Sequence, residues 1–260
     1  MKRKIVSAGL LVMGINVPAH AGHFSPAAGQ PGSTAINKDD VSITSWATGY
    51  ENYNVGANVD LIWQTPEKAL GVAQGVSGDI VSLGEGGTIT LTFSDFIVNG
   101  VGDDFAVFEN SINDTFLELA QVEVSSDGTN FFAFSMFSET PSPVNAFGAV
   151  DSSNIDGLAG KYRQGWGTGF DLDLLTGIAG LDVFNVSYVR LLDIAGDGSV
   201  LDVNGNPIYD PTLTTGSGGF DLDAIGVLNS ASTVVPVPAS IWLFGSGLLA
   251  LTAIRKRKNS

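Results

Sequence analysis

From residue 22 to residue 234, no helical period persists for more than about two turns. Short alternating or β-branched and aromatic runs recur instead, separated by glycine and Asx turns. The candidate strands are Val41–Trp46, Ile80–Leu83, Thr88–Phe93, Phe105–Glu109, Leu117–Ser125, Phe131–Phe137, Val183–Leu192 and Phe220–Leu228. Ser126-Asp-Gly-Thr129 joins two of them as a hairpin, because Asp-Gly tolerates positive φ. Asn99-Gly100 and Asn204-Gly205 mark further turns, and Asp171–Leu175 reads as a short helical turn. Many short strands with Gly-rich connections predict an all-β fold, an antiparallel β-sandwich or jelly roll, over residues 41–228. No repeat at a solenoid period is present. Residues 22–40, rich in Gly, Pro and Ala at their start, are expected to be a loose leader, and residues 229–238 a linker.

Charge narrows the function. The chain has 260 residues, 27 acids against 12 bases, and a formal net charge of −15. Seven bases sit at the two ends, which leaves Lys38, Lys68, Lys161, Arg163 and Arg190 among all 27 acids. A body of that charge repels a phosphate backbone, which argues against nucleic-acid partners. Cysteine is absent, so disulfides, thiolate metal sites and thiol nucleophiles are excluded.

The ends read as addresses. Met1–Lys4 is a positive n-region, Ile5–Val17 an apolar stretch, and Ala19-His-Ala21 the small-residue pattern that a signal peptidase cleaves. At the other end, Val235-Pro236-Val237-Pro238 precedes the uncharged run Ala239–Ile254 and the cluster Arg255-Lys256-Arg257-Lys258. As a helix, residues 239–254 would span about 24 Å, within reach of the roughly 30 Å hydrocarbon layer once flanking basic side chains snorkel. A single transmembrane helix is expected there, with residues 255–260 as a cytoplasmic basic tail.

Val-Pro-x-Pro, an apolar stretch containing Trp242-Leu-Phe-Gly-Ser-Gly-Leu-Leu249, and a closing basic cluster resemble the PEP-CTERM sorting signal. Val237 stands where the name-giving motif has Glu. The resemblance implies an exosortase as processing partner. It also implies a membrane-tethered intermediate, and delivery to the cell surface or extracellular matrix of an exopolysaccharide-making, biofilm-forming Gram-negative bacterium. Four further segments resemble a recurring bacterial cell-surface domain: Gly86–Phe93, Asp104–Asn110, Val122–Gly128 and Gly218–Ile225. The last is also similar to the closing strand of galactose-binding-like jelly rolls, many of which bind sugars.

No catalytic constellation emerges. Beyond the signal segment the one histidine is His23, poorly placed for a triad that needs a rigidly held imidazole. Phosphate-loop and dinucleotide signatures are missing, and Gly165–Gly169 reads as a tight loop. Among 27 acids some pair falls about 5–9 Å apart by chance, so a carboxylate-pair hydrolase stays open as the alternative.

Two binding chemistries are expected. Hard cations take several oxygen ligands. Asp103 and Asp104 lie in a Gly-flanked loop entering a strand that ends at Glu109, while Asp221 and Asp223 alternate on one face of the last strand. These five are the candidate Ca²⁺ ligands. A second acidic run, Asp193 to Asp210, begins like an EF-hand at Asp202-x-Asn204-x-Asn206 but has Pro207 where that loop needs Gly. It is kept only as a generic cation loop. The other chemistry is aromatic. Trp46 and Trp63 are expected in the core, whereas Tyr162 and Trp166, in the Gly/Gln-rich stretch Lys161–Gly169, are candidates for stacking on an exopolysaccharide. Arg163 and Arg190 are expected to offset half-buried acids.

Overall fold

The computed structural model describes residues 22–231. The signal segment, the Val235–Pro238 motif, the apolar run and the basic tail lie outside them. Among the described residues, no helix is long and apolar enough to cross a membrane.

The chain is all-β. Its strands are β1 (Ile36–Asn37), β2 (Ser45–Trp46), β3 (Gly49–Asn54), β4 (Val81–Ser82), β5 (Thr88–Ile97), β6 (Phe105–Glu109), β7 (Ala120–Ser125) and β8 (Phe132–Ala133). There follow β9 (Phe137–Ser138), β10 (Ile155–Asp156), β11 (Trp166–Phe170), β12 (Val186–Asp193), β13 (Asp197–Leu201), β14 (Pro207–Tyr209), β15 (Asp221–Val227) and β16 (Ser230–Ala231). Helical structure among the described residues is limited to four short 3-10 turns.

One six-stranded sheet runs β1-β11-β6-β15-β2, with β4 also on β15; the other runs β16-β5-β12-β7-β8, with β3 on β5. β9 pairs with β10, and β13 with β14, in two small ribbons. Every one of these pairings is antiparallel.

The side-chain period explains how the sheets meet. Ile89 and Leu91 of β5, Val122 and Val124 of β7, and Val189 and Leu191 of β12 point to one face of their sheet. They share a single apolar cluster with Phe105 and Val107 of β6, Phe170 of β11, and Leu222, Ile225 and Val227 of β15. The opposite face of β6 and β15 is also covered, since Ala106, Phe108 and Ala224 pack with Ala73 beneath Trp46. Burial on both faces is why β6 reads as a nearly continuous apolar run, Phe105 to Phe108, and why every residue of β15 is buried. The outer face of β12 and β7 is polar, and Arg190 sits directly opposite Glu123. Its Nε donates to Glu123 Oε2 at 2.6 Å while the guanidinium lies 3.8 Å from the Phe131 ring centroid. Arg163 pairs with Asp114, so both arginines offset acids as expected.

Strand β3 and the β13–β14 ribbon were not anticipated, only Ser45–Trp46 of the candidate Val41–Trp46 is strand, and two further segments differ from the sequence reading. Residues 22–37 are held against the body and are not loose. The Phe24 amide donates to the Ser153 carbonyl at 3.0 Å, Arg163 Nη1 to the Ala28 carbonyl at 2.9 Å, and Ile36 pairs with Gly167. The leader thereby covers the free edge of β11, an edge that would otherwise present unpaired backbone groups. Nor is Gly165–Gly169 a loop, for most of it is strand β11. A Cβ on Gly167 would come within 2.9 Å of the Phe108 ring, and one on Gly169 would collide with the Asp103 carboxylate. The glycines there mark close approach of neighbours to a strand.

Phe105 anchors the shared core, stacked on Phe170 at 5.3 Å and edge-on to Phe134 at 5.9 Å. Phe105→Ala is expected to cost about 3–5 kcal/mol of stability. Denaturant unfolding of the full chain checks this, and a loss below about 1 kcal/mol would mean that the aromatic cluster does not hold the two sheets together.

Candidate functional site

The largest cavity described, about 440 Å³, opens where β11 passes the start of β6. Its position follows from Asp104. That carboxylate is fully buried and accepts from the Gly100 amide at 2.7 Å, the Leu172 amide at 2.8 Å and Asn229 Nδ2 at 2.9 Å. It ties the turn before β6 to the 3-10 turn after β11 and to the chain leaving β15. With Asp104 so held, Asp103 lies along Gly169, on the cavity wall. Asp171 stands at the end of β11, where its carboxylate caps the turn Leu172–Leu175 through the Asp173 amide at 2.8 Å.

Lys161 and Asp156 complete the polar wall. Lys161 is buried, and its Nζ donates to the Ile155 carbonyl at 2.6 Å and to Asp156 Oδ1 at 3.3 Å. The ammonium also lies 5.7 Å from the Phe24 ring and 5.8 Å from the Tyr162 ring. Burial pushes its pKa down, opposed by the Asp156 charge. On the apolar side only Phe137 and Leu174 are open to the cavity, with the core residues Phe134 and Phe170 buried behind them.

Two groups in this cavity lack partners. Thr168 is only 6% exposed, yet its Oγ1 has no hydrogen-bond partner among the described residues. The Asp103 carboxylate receives no donor there either; burial, together with the charges of Asp171, Asp104 and Asp156, pushes its pKa up to about 6. An unpartnered hydroxyl and an unpartnered carboxylate in one cavity can both be satisfied by a hydroxyl-rich ligand.

The five carboxylates expected as cation ligands are divided among separate places. Asp103 lines the cavity and Asp104 clamps its wall. Asp223 accepts from the Gln74 and Gly75 amides at 2.9 and 2.7 Å. Asp221 accepts from the Ser82 hydroxyl. Between Asp221 and Asp223 the pairing of β15 with β6 shifts register, from Leu222 to Ala224. Glu109, which accepts from the Ser111 amide at 2.7 Å, joins Asp221 and Glu118 around a second cavity of about 270 Å³. Among the described residues, no group of three or more His, Cys, Asp or Glu is arranged to hold a metal ion. The acidic run around Asp202 is a turn that caps itself, with Asp202 accepting from the Asn204 and Asn206 amides at 2.8 Å.

The aromatic candidates also part. Tyr162 lines the 440 Å³ cavity but is 2% exposed, its hydroxyl donating to Ser25 Oγ at 2.9 Å, so its ring is no open platform. Trp166 is half-buried at the start of β11, 5.8 Å from the Arg163 guanidinium, and is not among the cavity's lining residues. Trp46 packs on Phe108 at 5.5 Å as expected, whereas Trp63 lines the second cavity. Asp156, Lys161, Thr168 and Asp171 escaped the sequence reading as site residues. The one signal for Lys161 is its rarity, as one of five bases among 27 acids.

Comparison with family models, with curated proteins and with solved structures finds no match to this chain.

The second cavity adjoins a buried acid group with a consequence for stability. Burial and mutual repulsion push Glu118 up to about 9 and Glu109 well above the carboxylate range; burial pushes Asp221 up to about 7. Asp193 rises to about 7 and Asp210 well up, again through burial first. Their folded pKa values lie above the unfolded values of about 4, so the folded state binds more protons between the two. The stability they contribute is present below about pH 4 and is lost as pH climbs through roughly 7 to 9. The unfolding midpoint of the full chain is expected to fall from pH 5 to pH 9, and Glu118→Gln to flatten that fall. A midpoint that rises over this range would contradict the assignment.

Proposed function

We propose that this chain is an exported surface protein whose all-β body binds carbohydrate in the cavity beside Asp103, in a structural or adhesive role within an extracellular matrix. The observation that carries the binding reading is the coexistence, in one 440 Å³ cavity, of the half-buried Phe137 ring, the unpartnered Thr168 hydroxyl and the unpartnered Asp103 carboxylate. Aromatic rings suit the C–H faces of a pyranose, and a few placed polar groups fix its orientation. The volume falls in the usual range for small-ligand sites, about 300–1,000 Å³.

The export reading rests on sequence: the segment ending at Ala21, the Val235–Pro238 motif, a membrane helix over 239–254 and the Arg255–Lys258 cluster. Signal peptidase and an exosortase are its processing partners, and a Gram-negative cell surface its destination. Two sheets sharing one core fit the β-sandwich of jelly-roll kind that the turn pattern suggests.

Binding is tested by calorimetric titration of the full chain with a panel of soluble oligosaccharides. At least one is expected to bind, and Thr168→Val to weaken it about fivefold, the loss of one neutral hydrogen bond of about 1 kcal/mol. If no member binds at millimolar concentration, the reading fails. One observation favours a second reading, a hydrolase: Asp103, raised to about 6, neighbours Asp171, as an acid and its carboxylate partner would. Release of reducing ends that Asp103→Asn abolishes would establish it; intact oligosaccharide after prolonged incubation would remove it.

A further inference from the structure

The wall of the 440 Å³ cavity carries three carboxylates, Asp103, Asp156 and Asp171, and one cation, Lys161. Lys161 is already engaged, its ammonium held by the Ile155 carbonyl and Asp156. Asp171 has a single amide donor, from Asp173, and Asp103 has none among the described residues. Independently of the acids, Thr168 Oγ1 is buried and unpartnered, and Thr168 lines the same cavity. The cavity therefore presents uncompensated negative charge together with a hydroxyl that lacks a partner, beside the half-buried ring of Phe137.

A neutral sugar would satisfy hydrogen bonds here but leave the half-buried charges of Asp103 and Asp171 uncompensated. An acidic sugar would add like charge and be repelled. A sugar bearing an ammonium supplies the missing charge and donates hydrogen bonds stronger than those of a neutral hydroxyl. We infer that the cavity selects a sugar with a free, protonated amino group, its ammonium compensated by Asp103 and Asp171 and one of its hydroxyls bonded to Thr168. The inference rests on the carbohydrate reading above and adds the charge of the ligand to it.

The test compares one sugar skeleton in two charge states. The full chain is titrated at pH 7 and low salt with the β-1,4-linked disaccharide of glucosamine and, separately, with its N,N′-diacetylated form. The free amine is expected to bind at least about tenfold more tightly, the factor that one charge-assisted bond confers. Asp103→Asn and Asp171→Asn are each expected to cut that preference to about threefold or less. Equal or tighter binding of the diacetylated sugar overturns the amino-sugar inference and leaves the carbohydrate reading standing. A preference that survives intact in both variants overturns the role given to these two carboxylates. Binding of neither disaccharide, with binding of another glycan, overturns the inference alone, and failure of every glycan overturns both.

Discussion

Buried carboxylates hold this body together at the places where loops meet the sheets. A chain with no cysteine has no disulfide to tie its connections. Here an acid on or beside a strand accepts backbone amides, nearly all of them from segments far away in sequence. Asp104 takes Gly100 and Leu172, Asp193 takes Gly86 and Phe220, Asp210 takes Leu119, and Asp223 takes Gln74 and Gly75. Amide donors favour the ionised carboxylate, while burial opposes it. For Asp104, Asp193, Asp210 and Asp223 burial prevails and the pKa is raised. The same groups that organise the loops therefore make the fold sensitive to alkali.

Against that pattern Asp103 stands apart. It adjoins a clamped acid and shares its loop, yet it holds no amide of its own. Its neighbour Asp104 fixes the backbone, and Gly169 leaves room for its carboxylate against β11. Thr168 repeats the situation one residue away on the same strand, with a buried hydroxyl that bonds to nothing among the described residues. In a structure that satisfies most of its buried acids internally, two polar groups left open in one cavity are the natural place for a ligand.

The fold was largely legible, because a period of two survives in any strand with one dry face. β6 keeps the bounds the sequence suggested, and β12 and β15 match to within a few residues at each end. Strand β11 was hidden because its glycines imitate a loop; the neighbours that require them, Phe108 and Asp103, come from β6 and its approach, far off in sequence. Of the site, only Asp103 and Tyr162 were named in advance, and Tyr162 proved buried. An acidic residue that clamps a loop and one that faces a cavity look alike in sequence. Which is which depends on long-range contacts, such as the Gln74 and Gly75 amides that Asp223 holds.

The most direct test of carboxylates as loop clamps is amide hydrogen exchange on the full chain, with and without Asp104→Ala. The account predicts that the amides of Gly86, Gly100, Leu172 and Phe220 are all strongly protected in the parent chain. In the variant, protection should vanish at Gly100 and Leu172 and persist at Gly86 and Phe220, which answer to Asp193. Rapid exchange at all four amides in the parent chain, or unaltered protection at Gly100 and Leu172 in the variant, would contradict it.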